Sequence, residues 1–297
     1  WWKAPHAAAG LGKGLQLCRL HLQETRASAV IGFGGYPALP AGLAARSLRV
    51  PLFLHEQNTV LGRTNRLLCR FAQTLLLSYS STHRIPHKGC NKTRCIGTPV
   101  RAEALRLATP YSLPRQGETW NLVVLGGSLG AQALSLYVPS ALGLLPEGLR
   151  TVLRVVHQAR PEDAAAVEQA YRNLNVESTV SPFFPDILSH LAKAHLVISR
   201  AGASTLAELA VLGRPAILVP YPYATDGHQA SNAVVFGHSG AAWLMAQNQL
   251  TPETLARKLQ ELFASPQQLA IAAAAMRSLS SPEAALTLGQ LALSGSH

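Results

Sequence analysis

The chain has 297 residues, of which 48% are hydrophobic and 14% charged. That is enough for roughly two domains of ~150 residues and excludes both a staple-dependent miniature fold and a disordered polar chain. Four irregularly spaced cysteines exclude a disulfide-dense scaffold and point to a cytosolic compartment. The net charge of +11 is one-sided: residues 1–101 hold 14 Lys and Arg against 2 acids, while residues 102–297 hold 12 against 13, so an anionic partner is expected at the first part.

Trp1, Trp2, Lys3, Lys13 and Arg19 flank an apolar stretch at 7–22, a mixture suited to a helix lying at an interface or to a solvated basic face. No basic-then-apolar leader opens the chain, and a start at Trp1 rather than Met reads as a cut end. Residues 27–45 carry no charge, but Gly32, Gly34, Gly35, Pro37, Pro40 and Gly42 break them up, against a membrane span.

Apolar runs of strand length recur at 29–33, 51–54, 74–78, 122–125, 152–156, 196–199 and 216–220. Helical spacing fills 131–144, 162–174, 187–193, 205–212 and 229–236. This alternation predicts an α/β chain with parallel sheets buried on both faces. Thr251-Pro252 and Ser281-Pro282 each read as an N-cap followed by Pro at the first helical position, so the last 47 residues are two or three helices. The aperiodic segment with Pro110, Pro114 and Gly117 is the expected linker. The predicted division is a first domain at 1–102, a linker at 103–119, a second domain at 120–280 and a C-terminal helix at 281–297.

Three glycine-rich turns follow strands: around Gly34-Gly35-Tyr36, around Gly126-Gly127-Ser128, and from Ser199-Arg200-Ala201-Gly202 into Ala203, Ser204 and Thr205. In an open α/β sheet ligands sit beyond the carboxyl ends of strands. Missing side chains and a following helix N-terminus suit the second and third turns to a phosphate. Glu208, in the first turns of the helix after the third bend, is placed to accept hydrogen bonds from a vicinal diol such as a ribose, or merely to complement the helix dipole.

Together, Gly34-Gly35-Tyr36, His55-Glu56-Gln57-Asn58, Gly97-Thr98-Pro99-Val100-Arg101, the segment from Gly126 to Ala131, the segment from Ser199 through Glu208, and Asp226-Gly227-His228-Gln229 with Asn232-Ala233 resemble the bacterial MurG family of glycosyltransferases over nearly the whole chain. The resemblance implies a GT-B type fold of two Rossmann-like domains with a cleft between them. It implies inverting transfer of N-acetylglucosamine from UDP-N-acetylglucosamine to undecaprenyl-diphosphate-linked muramoylpentapeptide, in peptidoglycan synthesis. The place of action would be the cytoplasmic face of the bacterial inner membrane, held peripherally on an anionic lipid surface.

By the same resemblance Glu208 takes the ribose, Ala203, Ser204, Thr205 and Ser128 the diphosphate, Phe184 the uracil edge through its backbone, and His228 with Gln229 the sugar hydroxyls. Arg101 reaches the nucleotide and Asn58 the sugar, while Gly34, Gly35 and Tyr36 face the acceptor. Glu56 or His55 would assist acceptor activation, both being competent bases, or would hold their loop by hydrogen bonding. No cofactor and no metal are implied, in keeping with the absence of any Asp-x-Asp. Family members start with a further Gly-rich loop ending in His, so the first domain reads as N-terminally incomplete by roughly 60 residues. Thr98 stands where Asn is usual.

Three other readings compete. A catalytically impaired remnant would keep only phosphate or lipid binding. Gly126-Gly127-Ser128-Leu129-Gly130 also fits a hydrolase elbow, with Ser128 as nucleophile, Asp186 or Asp226, and His228 or His238. His83, His87, Cys90 and Cys95 superficially resemble a zinc site. Nucleic acid is not expected as a partner, since the basic part has few aromatics for stacking bases.

Overall fold

The computed structural model describes residues 4–87, 90, 92–115, 117–127 and 132–294, with side chains from residue 10 onward. Two compact units result: residues 1–99 with 281–297, and residues 100–280.

The first unit begins with α1 (Ala4–Glu24), β1 (Val30–Gly32), α2 (Ala38–Leu48), β2 (Leu52–Glu56), α3 (Arg63–Leu68), β3 (Thr74–Leu77) and β4 (Thr93–Cys95). Its four strands are parallel in the order β1-β2-β3-β4, in register through Val30 with Leu52, Phe53 with Thr74 and Leu75 with Thr93. All five residues of β2 are buried, and Leu52, Leu54, Leu61, Leu68, Leu75 and Leu77 form the core beneath α2 and α3. The helices approach closely at Gly42, where a Cβ would stand 2.6 Å from Leu68 Cδ1. α1 packs on α2 and leaves Leu17 and Leu20 exposed, so the stretch read from the sequence as an interface helix is helical.

The second unit contains α4 (Ala102–Leu107), β5 (Trp120–Leu125), α5 (Gln132–Gly143), α6 (Glu147–Arg150), β6 (Leu153–Gln158), α7 (Pro161–Asn173), β7 (Glu177–Ser181) and α8 (Ile187–Lys193). It continues with β8 (Leu196–Ser199), α9 (Ala203–Leu212), β9 (Ala216–Leu218), α10 (His228–His238), β10 (Ala242–Leu244), α11 (Pro252–Ala264) and α12 (Pro266–Ser278). The sheet is parallel in the order β10-β9-β8-β5-β6-β7. From β5 the chain winds outward through β6 and β7, then crosses back to β8 and winds the other way. The loops after β5 and β8 therefore diverge at a topological switch point, where such sheets open a crevice.

The chain then returns to the first unit as α13 (Ala284–Ser294). Its first turn starts two residues later than Ser281-Pro282 suggested. α11, by contrast, begins where expected, with Thr251 Oγ1 accepting from the Thr254 N–H at 3.2 Å in a capping box. The segment expected to be linker starts as α4, which packs on α8 and α9 and belongs to the second unit. Among the described residues, no helix is long and apolar enough to cross a membrane.

Candidate functional site

A cavity of about 740 Å³ opens at the switch point, lined by both glycine bends. On one side Gly126 and Gly127 follow β5, and Gly127 adopts φ +78°, a left-handed conformation that brings bare backbone to the rim. On the other, Gly202 precedes α9, and Ala203, Ser204 and Thr205 present the first turn of that helix to the cavity. First-turn N–H groups lack intrahelical acceptors and carry the positive end of the helix dipole, so this wall is built for an anion. Ser128 lies outside the described residues.

Arg200, between β8 and Gly202, also lines the cavity, and the sequence reading gave it no role. It is 8% exposed and donates to Val219 O (3.0 Å), Pro220 O (3.3 Å) and Gln247 Oε1 (2.6 Å), with Tyr221 stacked 5.5 Å away. Among the described residues no carboxylate pairs with it. Burial lowers its pKa from the ordinary guanidinium value, and its unbalanced charge faces the same space as the helix N-terminus. The signal was available: an arginine at a strand end, directly before a glycine bend.

Glu208 sits on the second turn of α9 with its side chain 14% exposed. Its Oε1 accepts from Arg101 Nε at 2.9 Å. α4 packs on α9, which sets Arg101, at the N-terminal edge of α4, over that acid. The two residues singled out for the nucleotide thus come together, joined by a hydrogen-bonded ion pair. The Glu208 carboxylate does not project into packed interior, since its partner is a half-exposed guanidinium.

Beyond Tyr221, Asp226 and Gly227 are both left-handed (φ +55° and +69°) and turn the chain into α10. His228 Nδ1–H donates to Thr225 O at 2.6 Å, which leaves Nε2 as the ring's other polar atom. Gln229 Oε1 accepts from the Tyr221 N–H at 2.9 Å, and Gln229 lines the cavity. Phe184 is buried against His190, with ring centroids 5.5 Å apart, on the turn after β7.

In the first unit the sequence offered His55 and Glu56 either as bases or as residues that hold their loop, and both lie among hydrogen bonds. Glu56 is 3% exposed and accepts four hydrogen bonds: Oε1 from Asn58 N (3.1 Å) and Asn58 Nδ2 (3.0 Å), Oε2 from Gly62 N (2.9 Å) and Asn65 Nδ2 (2.9 Å). A carboxylate so occupied fixes a loop. His55 is fully buried, donates from Nε2 to Gly97 O at 2.8 Å, and is held below the ordinary histidine pKa by desolvation. Asn58 spends its amide on Glu56, while Gly34 and Gly35 are both left-handed and Gly34 lies over the Asn65 amide. Tyr36 on that loop is 62% exposed.

Among the described residues no group of three or more His, Cys, Asp or Glu could hold a metal ion, His83, His87, Cys90 and Cys95 included. The hydrolase arrangement finds His228 bonded to a carbonyl and Asp186 paired with His190 on its own helix.

Comparison with known proteins bears on both units. The family model for the glycosyltransferase family 28 C-terminal domain matches residues 121–288, and that for its N-terminal domain matches residues 2–77. A protein of Paramagnetospirillum magneticum named UDP-N-acetylglucosamine--N-acetylmuramyl-(pentapeptide) pyrophosphoryl-undecaprenol N-acetylglucosamine transferase is 45% identical over 290 residues, 97% of this chain and 78% of the relative. A protein of the same name from Granulibacter bethesdensis is 46% identical over 91% of this chain and 71% of its own length. The crystal structure of Acinetobacter baumannii MurG superposes with a TM-score of 0.78 at 32% identity, covering 97% of this chain and 80% of that one. A UDP co-structure of S. aureus MnaA shares the fold at 10% identity, with a TM-score of 0.68 over 96% of this chain and 80% of that one.

Proposed function

The chain belongs to glycosyltransferase family 28, among the MurG enzymes of GT-B fold, and from that premise we propose that it transfers N-acetylglucosamine from UDP-N-acetylglucosamine to undecaprenyl-diphosphate-linked muramoylpentapeptide. The observation that carries this is the 45% identity over 97% of the chain to a relative of that name. The cavity at the switch point supports it with chemistry suited to a nucleoside diphosphate.

In this reading the diphosphate lies against the Gly126-Gly127 bend and the first turn of α9, with Arg200 supplying the fixed positive charge. Charge grows on the departing diphosphate as the anomeric bond breaks. Amides and a guanidinium already aimed there stabilise it without reorganisation, an effect for which one donor is typically worth ~10² to 10³ in rate. Glu208 takes the ribose hydroxyls, releasing Arg101 to the nucleotide. Phe184 offers its backbone to the uracil edge, and His228 and Gln229 hold the sugar. Gly34, Gly35 and Tyr36 of the first unit meet the acceptor. No cofactor or metal is needed for this displacement. The basic first unit, with Leu17 and Leu20 exposed on α1, fits a peripheral seat on the anionic cytoplasmic face of the inner membrane.

Titration with UDP tests the donor site. Glu208→Ala should weaken binding by about 10- to 100-fold, because a hydrogen bond to a charged group contributes about 1.5–3 kcal/mol. Unchanged affinity overturns the assignment. Transfer of labelled N-acetylglucosamine to the lipid-linked acceptor, dependent on the UDP-sugar, tests the reaction itself.

A further inference from the structure

Two arginines line the same cavity, and their surroundings suit them to different ligands. Arg200 carries an uncompensated charge, as described above. Arg160, which directly precedes α7, has every guanidinium nitrogen engaged by a carboxylate: Nε to Asp163 Oδ2 at 2.7 Å, Nη2 to Asp163 Oδ1 at 3.0 Å and Nη1 to Glu162 Oε1 at 3.0 Å. One cation against two carboxylates leaves a local excess of negative charge, which repels a phosphate. What remains to meet a ligand is the flat face of a guanidinium held rigid by a bidentate fork, with its side chain 25% exposed. Such a face stacks on planar rings.

The backbone sets Arg160 beside the turn assigned to the base. Ala159 N donates to Ser181 O at 3.2 Å and Gln158 Nε2 to Pro182 O at 3.3 Å, so residue 160 follows immediately on the contact with the turn that leads to Phe184. We propose that Arg160 is a positioning and specificity residue whose guanidinium plane stacks on the uracil of the donor, while Arg200 serves the diphosphate. This rests on the reading of the cavity as a UDP-sugar site, and it names the wall of the base subsite.

Arginine, lysine and glutamine separate the possibilities at position 160. A stacking role requires a planar group; a phosphate contact requires only charge. Arg160→Lys should therefore weaken UDP about tenfold, within the range measured for losing one stacked base, and Arg160→Gln, which keeps a planar amide, should lose less. Inorganic diphosphate, which has no base, should bind both variants as it binds wild type, and should lose affinity in Arg200→Ala. With UDP-N-acetylglucosamine the Lys variant should raise KM and leave kcat within about twofold, the pattern of an interaction made equally in ground and transition states. On the wild-type protein, bound UDP should show reduced uracil absorbance and nuclear Overhauser contacts to the Arg160 side chain, a readout that needs no variant to fold. The proposal is overturned if Arg160→Lys binds UDP like wild type, if it weakens diphosphate as much as UDP, or if bound uracil shows no contact to Arg160. A wild-type chain that binds diphosphate but not UDP overturns the donor-site reading itself.

Discussion

His157 on β6 and Tyr171 on α7 are both fully buried and share a 2.8 Å hydrogen bond inside the second unit. Burial pulls the histidine from the ordinary 6.5 down to about 4. Between those values the unfolded chain binds more protons than the folded one, so stability should be complete above about pH 6.5, fall as pH drops through the window, and level off near 4. One such group corresponds to about 3 kcal/mol over that range. Urea unfolding at several pH values checks this, and His157→Phe should flatten the profile; an unchanged slope in that variant would contradict the assignment to His157. Glu56 shows the limit of reading single residues. In the sequence His55-Glu56-Gln57-Asn58 offers two bases, and only the fold reveals that the Glu56 oxygens are taken by Asn58, Gly62 and Asn65. Glu208 was legible as an acid on the second turn of α9, because its distance from Gly202 fixes its turn of the helix. Its pairing with Arg101, 107 residues away, was not, since nothing local encodes α4 packing on α9.

Strand legibility followed side-chain burial, since β1, an edge strand that is partly buried, was also read at 29–33. The runs that became β2, β5, β8 and β9 stood out because strands buried on both faces read as continuous apolar stretches. β4, β7 and β10 escaped notice, and each is a sheet edge. Thr93, Arg94 and Cys95 are all exposed, and Glu177–Ser181 is largely polar, so these strands are held by a neighbour's ladder rather than by burial of their own side chains. The start of α12 at Ser265-Pro266 was overlooked although it has the same Pro signature as α11. α13 supports a prediction at this scale. Ala284, Leu288 and Ala292 recur every four residues on its buried face, and Ser281 before it packs where a Cβ on Gly97 (φ +81°) would collide. Deleting residues 281–297 should lower the thermal transition of the first unit and leave that of the second in place; Gly97→Ala should act in the same direction. Calorimetry resolving two transitions, with the second unit's moving instead, would refute it.

At the scale of the whole molecule the charge step is the dominant feature. Fourteen basic residues against two acids in residues 1–101 make a field that a neutral second unit does not cancel. Co-sedimentation with vesicles rich in anionic lipid should therefore be strong at low ionic strength and fall steeply as the screening length shrinks from about 30 Å at 0.01 M to about 3 Å at 1 M salt. Zwitterionic vesicles should retain little protein, and equal retention on both would remove the electrostatic seat. The charge step after residue 101 falls beside the division of the units at residues 99 and 100, whereas the Pro- and Gly-containing segment near residue 110 lies inside the second unit. The closing return of the chain to the first unit was not legible, since a helical pattern does not say which core its apolar face meets.

In the donor reading proposed above, Glu208 awaits a ribose with Oε1 already held by Arg101, so the acid's orientation is set before a ligand arrives and its ordering entropy falls on folding rather than on binding.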